Sequence, residues 1–217
     1  MSAHDQDGKS RAEIKQERLQ GRLGPEVQEF RDACKSLQLA TITKDGLPHV
    51  SYAPFAFNNA GYYILVSDLA AHGKNLKSNK NVSIMMVEDE ASANNVHARK
   101  RLTFDTTAEH LDKTSQQGIE GVQALQQRFG EMAQNLAKLG DFNLYKLTPS
   151  NGRYVKGFGQ AFNVSGNDLV DFLHLSEGHG HGQHEKQSAE KQSTESQSIA
   201  QQGVDHKSIA EPIPEQN

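Results

Sequence analysis

Apolar residues along this chain recur first at the spacing of a helix and then at that of a strand. Ser10 is placed to cap a helix running to about Arg22, through a segment rich in Glu, Lys, Arg and Gln. Gly24-Pro25 then opens a second helix, in which Val27, Phe30, Cys34 and Leu37 step by three and four with charges between them. That stripe makes Cys34 a small buried hydrophobe rather than a thiolate ligand or nucleophile.

From Leu37 the period shortens. LQLATIT, PHVSYAPFAF, GYYILVS and NVSIMMVE are β-rich runs, separated by Asp45-Gly46, Asn58-Asn59 and a short helical stretch near residues 70–78. Lys44-Asp45-Gly46 between two such runs predicts a hairpin. Further strands are expected at RKRLTFDTTAEHL, DFNLYKLTP and GRYVKGFGQAFNV. Between them Ile119, Val122, Leu125, Phe129, Met132, Leu136 and Leu139 predict one long amphipathic helix packed on the sheet. The sum is six or seven strands, mostly hairpin-connected, with helices at the start and late in the chain. This is a mainly β, α+β pattern. It fits an antiparallel barrel decorated by helices better than a doubly wound sheet, because no regular βαβ alternation appears.

Composition changes the picture at the C-terminal end. Residues 185–217 are dominated by Gln, Ser, Glu, Lys and Ala with no sustained period, and cannot offset an ordering cost of roughly 1–2 kcal/mol per residue. Six acids and three lysines there supply most of the net charge of −4, leaving the rest of the chain nearly neutral. A nearly neutral body lacks the basic field of a nucleic-acid binder. No apolar run approaches the roughly 20 residues that span a bilayer, and the N-terminus lacks a signal-like apolar stretch. The single cysteine excludes an internal disulfide framework, so the cytoplasm is the expected compartment. The organisation read from this is a flexible N-terminus over 1–12, a folded domain over 13–184 and a disordered polar tail over 185–217.

His179, His181 and His184 stand together where the folded pattern ends. Imidazole ligates haem iron and several other transition metals, so this cluster either closes over a cofactor or is a metal-sticky tail. His174 lies five residues before it. No HExxH, paired CxxC or P-loop pattern occurs, and GFGQAFNVSG follows no βα turn.

LATITKDGLPHVSYAPFAF followed by HGKNLKSNKNVSIMMVED resembles the split-barrel superfamily of pyridoxamine-phosphate-oxidase-like, flavin-binding proteins, which pair as dimers with cofactor sites at the subunit interface. KQERLQGRLGPEVQEFRDACKSLQLAT, ARKRLTFD, VKGFGQAF and GNDLVDFLHLSEGH are similar to the haem-utilisation proteins of the HugZ/HutZ type, from about Lys15 to His179. The resemblance implies a homodimeric, FMN-binding-like split barrel that binds haem over 13–184. It also implies oxidative degradation of haem to a biliverdin-like tetrapyrrole, with release of iron for its acquisition. An electron donor, and a haem-delivery protein, are the further partners implied.

Residue by residue, the resemblance makes His179 the ligand of the haem iron and Asp141 the carboxylate that hydrogen-bonds it, fixing its tautomer and raising its donor strength. Arg101 is expected on a strand, paired with a haem propionate or orienting a distal ligand. His72 falls where flavin relatives bind the cofactor phosphate and is expected to support the dimer interface or haem pocket. Ser36 is expected near the subunit contact. Relatives commonly continue past the motif with basic residues, whereas His181 and His184 here offer rival ligands. Two alternatives stay open: a flavin-dependent oxidoreductase holding the FMN phosphate through Lys74 and its neighbours, and a haem carrier or store that leaves the ring intact.

Overall fold

The computed structural model describes residues 9–166 and 170–172. Helix α1 spans Arg11–Ala33 and starts in a capping box: the Ser10 hydroxyl accepts from the Glu13 amide, and the Ser10 amide donates to the Glu13 carboxylate at 2.6 Å. The two helices expected here are one. Pro25 sits inside α1, although proline removes a helical donor and crowds the carbonyl of residue 21, at a cost of about 3 kcal/mol. Leu19, Leu23 and Val27 explain the continuity. They form one buried stripe across the proline, and each is worth about 1.5–3 kcal/mol of burial, which outweighs that cost.

Strands β1 (Ser36–Ile42) and β2 (Pro48–Pro54) form the predicted hairpin around residues 43–47. Short β3 (Ala56–Asn58) turns through Asn59 into β4 (Gly61–Ser67), and α2 (Ala71–Ser78) follows. Strands β5 (Asn81–Val87) and β6 (Arg101–Leu111) come next, then α3 (Gln116–Phe129) and α4 (Glu131–Lys138). The chain continues into β7 (Phe142–Gly157), β8 (Gln160–Ser165) and β9 (Val170–Phe172). All pairings are antiparallel, in the order β2-β1-β5-β6-β7-β4-β3, with β8 and β9 extending from β7. The sheet curls around a core but its path is not closed by hydrogen bonds, as a split barrel requires.

Two expected strands, DFNLYKLTP and the start of GRYVKGFGQAFNV, run together as the 16-residue β7. Proline 149 is tolerated at the register shift opposite Phe104/Thr106, where the ladder is interrupted and a donor is not needed. The long amphipathic helix is in turn two helices. Gly130 has φ of +71°, a left-handed conformation that ends α3 and redirects the chain into α4.

The main core fills the barrel with Leu37, Leu39, Tyr62, Ile64, Ile84 and Phe104 among others, sealed by the α1 stripe. Glu26 of α1 accepts from Tyr154 at 3.0 Å and Lys156 at 2.6 Å on β7, tying helix to barrel. Burial and the Glu26 carboxylate push the Tyr154 phenol well above its ordinary range, so it stays a donor. Cys34 packs against the same core, and burial pushes its thiol up as well, away from a thiolate. A second, smaller core joins Tyr63, Leu111 and Leu144 to Leu125 and Ala133 of α3 and α4. Strand β4 therefore feeds both cores, Tyr62 and Ile64 into one and Tyr63 into the other.

Replacing Pro25 by alanine restores one donor and removes the ring clash on an exposed position. The expected gain is about 1–3 kcal/mol, read as a higher midpoint in urea at unchanged slope. A lower midpoint would mean that the proline-shaped path of α1 is needed for its stripe to fit the barrel.

Candidate functional site

The antiparallel register of β4 and β7 sets Ser67 opposite Phe142 and brings the end of one strand to the approach of the other. There the Ser67 hydroxyl donates to Asp141 Oδ2 at 2.7 Å and accepts from the Leu69 amide at 3.1 Å. The Asp68 amide donates to the Asp141 carbonyl at 2.8 Å. Asp68 itself accepts from Asn143 at 2.6 Å and pairs with Lys77 of α2 at 2.6 Å. The turn between β4 and α2 is thus locked to the start of β7 by backbone and side chains together.

Helix α2 then folds back onto β4 at very short range. A Cβ on Gly73 would lie 2.1 Å from the Ser67 carbonyl oxygen, so only glycine allows the first turn of the helix to rest there. This close approach sets the place of His72. Its Nδ1 lies 3.0 Å from the Ser51 hydroxyl on β2. Burial, and then the neighbouring His49, hold its pKa below the ordinary imidazole value, which favours the neutral ring. Farther along α2 the buried Asn75 donates to Thr41 at 2.9 Å, and Thr41 donates to the His49 carbonyl, anchoring the helix to the β1–β2 hairpin.

Between α2, the end of β4, β2 and the α3–α4 pair lies a cavity of about 550 Å³. Leu65, Val66, Phe129, Leu136 and Phe142 give it apolar walls, and Ser67 and His72 are its polar points. Tyr52 and Met132 line it while remaining 69% and 67% exposed, so its mouth is an open apolar surface. No lysine or arginine is among its lining residues. A broad apolar wall, a hydroxyl–carboxylate pair and a neutral imidazole fit an aromatic, metal-bearing macrocycle better than a phosphorylated cofactor.

The expected site residues do not all converge. Asp141 is linked to the cavity through Ser67, and His72 lines it. Ser36 and Arg101 do not line it. Ser36 is exposed at the start of β1, in a polar cleft of about 800 Å³ that also contains Glu88, Arg99 and Lys100. Arg101 is exposed at the start of β6, with its guanidinium 3.4 Å from the Arg99 carbonyl. The β6–β7 register puts Arg101 beside Val155 and Leu111 beside Leu144, so about 30 Å of strand separates Arg101 from the Asp141 end. Lys74 is exposed on α2. His174, His179, His181 and His184 lie outside the described residues, as does the tail over 185–217. Among the described residues no three His, Cys, Asp or Glu side chains come together as a metal site.

Ser67 escaped the sequence reading. Its only local signal is Ser-Asp at the end of a strand before a helix, an ordinary turn signature. Its partner Asp141 lies 74 residues away, and only the β4–β7 register joins them.

Comparison with known proteins agrees with this geometry. Residues 23–156 match the family model for pyridoxamine 5'-phosphate oxidase. The chain is 53% identical over 167 residues to the heme oxygenase HutZ of Vibrio cholerae, covering 77% of this chain and 95% of that protein. The crystal structure of Vibrio cholerae HutZ, described as a heme storage protein, superposes with a TM-score of 0.60 at 48% identity, covering 64% of this chain and 97% of that one. Campylobacter jejuni ChuZ superposes with a TM-score of 0.63 at 31% identity, covering 76% and 72%. The chain belongs to the pyridoxamine 5'-phosphate oxidase-like split-barrel family, and within it to the HugZ/HutZ-type haem-utilisation proteins. No helix among the described residues is long and apolar enough to cross a membrane.

The His72 environment gives a pH dependence with a definite sign. Its folded pKa lies below the ordinary 6.5, so over the interval between the two values the unfolded chain binds more protons. His72 therefore contributes stability above that interval and loses it as pH falls through 6.5 toward the folded value. Urea midpoints measured from about pH 7.5 to 5.5 should fall more steeply for the native chain than for His72→Gln. Parallel curves would show that His72 titrates alike in both states.

Proposed function

We propose that this protein is a haem-degrading oxygenase that binds its substrate between two copies of the chain, opens the macrocycle to a biliverdin-like tetrapyrrole and releases the iron. The observation that carries the reading is the apolar cavity whose lining Ser67 is hydrogen-bonded to Asp141. The 53% identity to a heme oxygenase over nearly all of that protein's length supports the same reaction class.

In this reading His179 is the iron ligand and Asp141 accepts its N–H. A carboxylate in that position fixes the imidazole tautomer and makes it a stronger donor. Haem itself supplies the oxygen chemistry, being both cofactor and substrate. The chain's residues orient it: Leu65, Phe129 and Phe142 cover the ring and exclude water, and His72 keeps a neutral imidazole at the wall. Ring opening consumes electrons, so a reductant is a required partner, and a haem-delivery protein is a further one. The cytoplasm, with Cys34 reduced, is the compartment we assign.

The placement of Arg101 supports a homodimer. It lies a strand's length from the Asp141 end of its own chain, so it serves a haem site there if a second copy brings it. The open mouth with Tyr52 and Met132 is the apolar surface such a copy would cover. The haem reading is preferred to the flavin one because the 53% identical relative is a heme oxygenase, and within one chain Lys74 is exposed and does not line the cavity. Haem storage remains the second reading, since the related crystal structure is described in those words.

Reconstitution with one haem per chain, then ascorbate in the presence of catalase, should bleach the Soret band, produce a tetrapyrrole absorption and release iron to a ferrous chelator. An intact ring under these conditions would leave storage as the function. His179→Ala should change the haem spectrum, and an unchanged spectrum would remove its role as ligand. Arg101→Ala and Asp141→Ala chains, each impaired alone, should on mixing recover about a quarter of native turnover, because half the random dimers carry one intact site. No recovery would place both residues in the site of a single chain.

A further inference from the structure

We infer that α1 carries a docking ridge for an anionic bilayer surface, formed by Arg11, Lys15, Arg18 and Arg22 in a line along its first half. The inference goes beyond the haem reading and uses none of its site residues.

An α-helix turns about 100° per residue, so positions 11, 15, 18 and 22 fall within about 60° of one another around its axis. All of them are exposed, and the line they form is about 16 Å long. Among the described residues Arg11, Arg18 and Arg22 enter no ion pair. The acids of the same stretch lie elsewhere around the helix and are engaged there. Glu13 accepts from the Ser10 amide, and Glu17 pairs with Lys9. Farther on, Glu26 is taken up by Tyr154 and Lys156.

Nothing in the helix itself rewards this line. Like charges three and four residues apart repel, and Arg11–Lys15, Lys15–Arg18 and Arg18–Arg22 are all such neighbours. Cations near the N-terminus also oppose the helix dipole. Over its full length α1 is neutral, with Arg11, Lys15, Arg18, Arg22 and Arg31 against Glu13, Glu17, Glu26, Glu29 and Asp32. Its charge is therefore segregated to one side rather than present in excess.

The surroundings favour a bilayer over other anionic partners. Specific protein contacts draw on a buried aromatic or aliphatic anchor. Among the described residues α1 exposes no large apolar side chain, because Leu19, Leu23 and Val27 are spent on the barrel. A nucleic acid asks for a wider basic field than one ridge on a nearly neutral body. Anionic headgroups need neither anchor nor groove, and a convex helix can lie along their plane. Each basic residue held near such a surface changes partitioning about fivefold. A single ridge of this kind gives a reversible, salt-sensitive contact.

The test is co-sedimentation of the full-length, haem-free chain with vesicles of phosphatidylcholine, alone or with about a third phosphatidylglycerol, at low ionic strength. The chain should sediment only with the anionic vesicles and be released by salt at about 0.5 M. Arg11→Gln, Arg18→Gln and Arg22→Gln together should lower the partition coefficient about a hundredfold. Lysine at the same three positions keeps charge and helix propensity and should restore binding, which separates lost charge from lost fold. Lys44→Gln, Lys80→Gln and Lys138→Gln together change the net charge equally at exposed lysines elsewhere, and should leave binding within about threefold. Equal sedimentation with neutral vesicles, or equal loss in the two glutamine variants, would overturn the ridge. Retention on immobilised polyglutamate that needs the three arginines, without vesicle binding, would make the partner an acidic protein and overturn the bilayer.

Discussion

Strand β4 is buried on both faces, and its register against β7 is what brings Ser67 to Asp141. Tyr62, Ile64 and Val66 enter the barrel core, while Tyr63 and Leu65 face the packing of α3 and α4. A shift of one residue would exchange these sets between the two cores. The same pairing puts Ser67 beside the approach to β7. The site is thus a by-product of burial: the apolar demands of two cores fix a strand, and the strand's last polar residue finds a carboxylate.

Much of the fold is legible in the residues because local signals and the global pattern agree. Ser10 with Glu13 marks the start of α1, Asp45-Gly46 marks a hairpin, and the alternation in LQLATIT marks β1. The misreadings share one physical origin, in that tertiary burial overrides local punctuation. Pro25 reads as a helix start, yet a continuous buried stripe carries α1 through it. Proline 149 reads as a strand end, yet β7 passes it at a register shift. Gly130 is the converse, a break hidden inside an uninterrupted apolar period because a single glycine barely disturbs the pattern.

The site is less legible, because its contacts are long-range. Asp141 and His72 emerge from motif resemblance, and the fold sets both around the cavity wall, one through Ser67. Ser67, Gly73 and Asp68 carry no signal of their own, since a serine, a glycine and an aspartate between a strand and a helix describe most turns. Arg101 and Ser36 show the opposite difficulty. Their types suit the chemistry, but neither lines the cavity, and for Arg101 the separation is set by strand length and invisible in residue spacing.

The two-faced burial of β4 has a consequence for how this fold diversifies. Positions 62, 64 and 66 are constrained by the barrel and 63 and 65 by the layer under α3 and α4, so neighbouring positions answer to different packing. A lineage can exchange one ligand chemistry for another by altering the alternate residues of a single strand and the helices above them, while the barrel beneath keeps its packing. That separability is a physical route by which one barrel could carry different pockets on the same packed core.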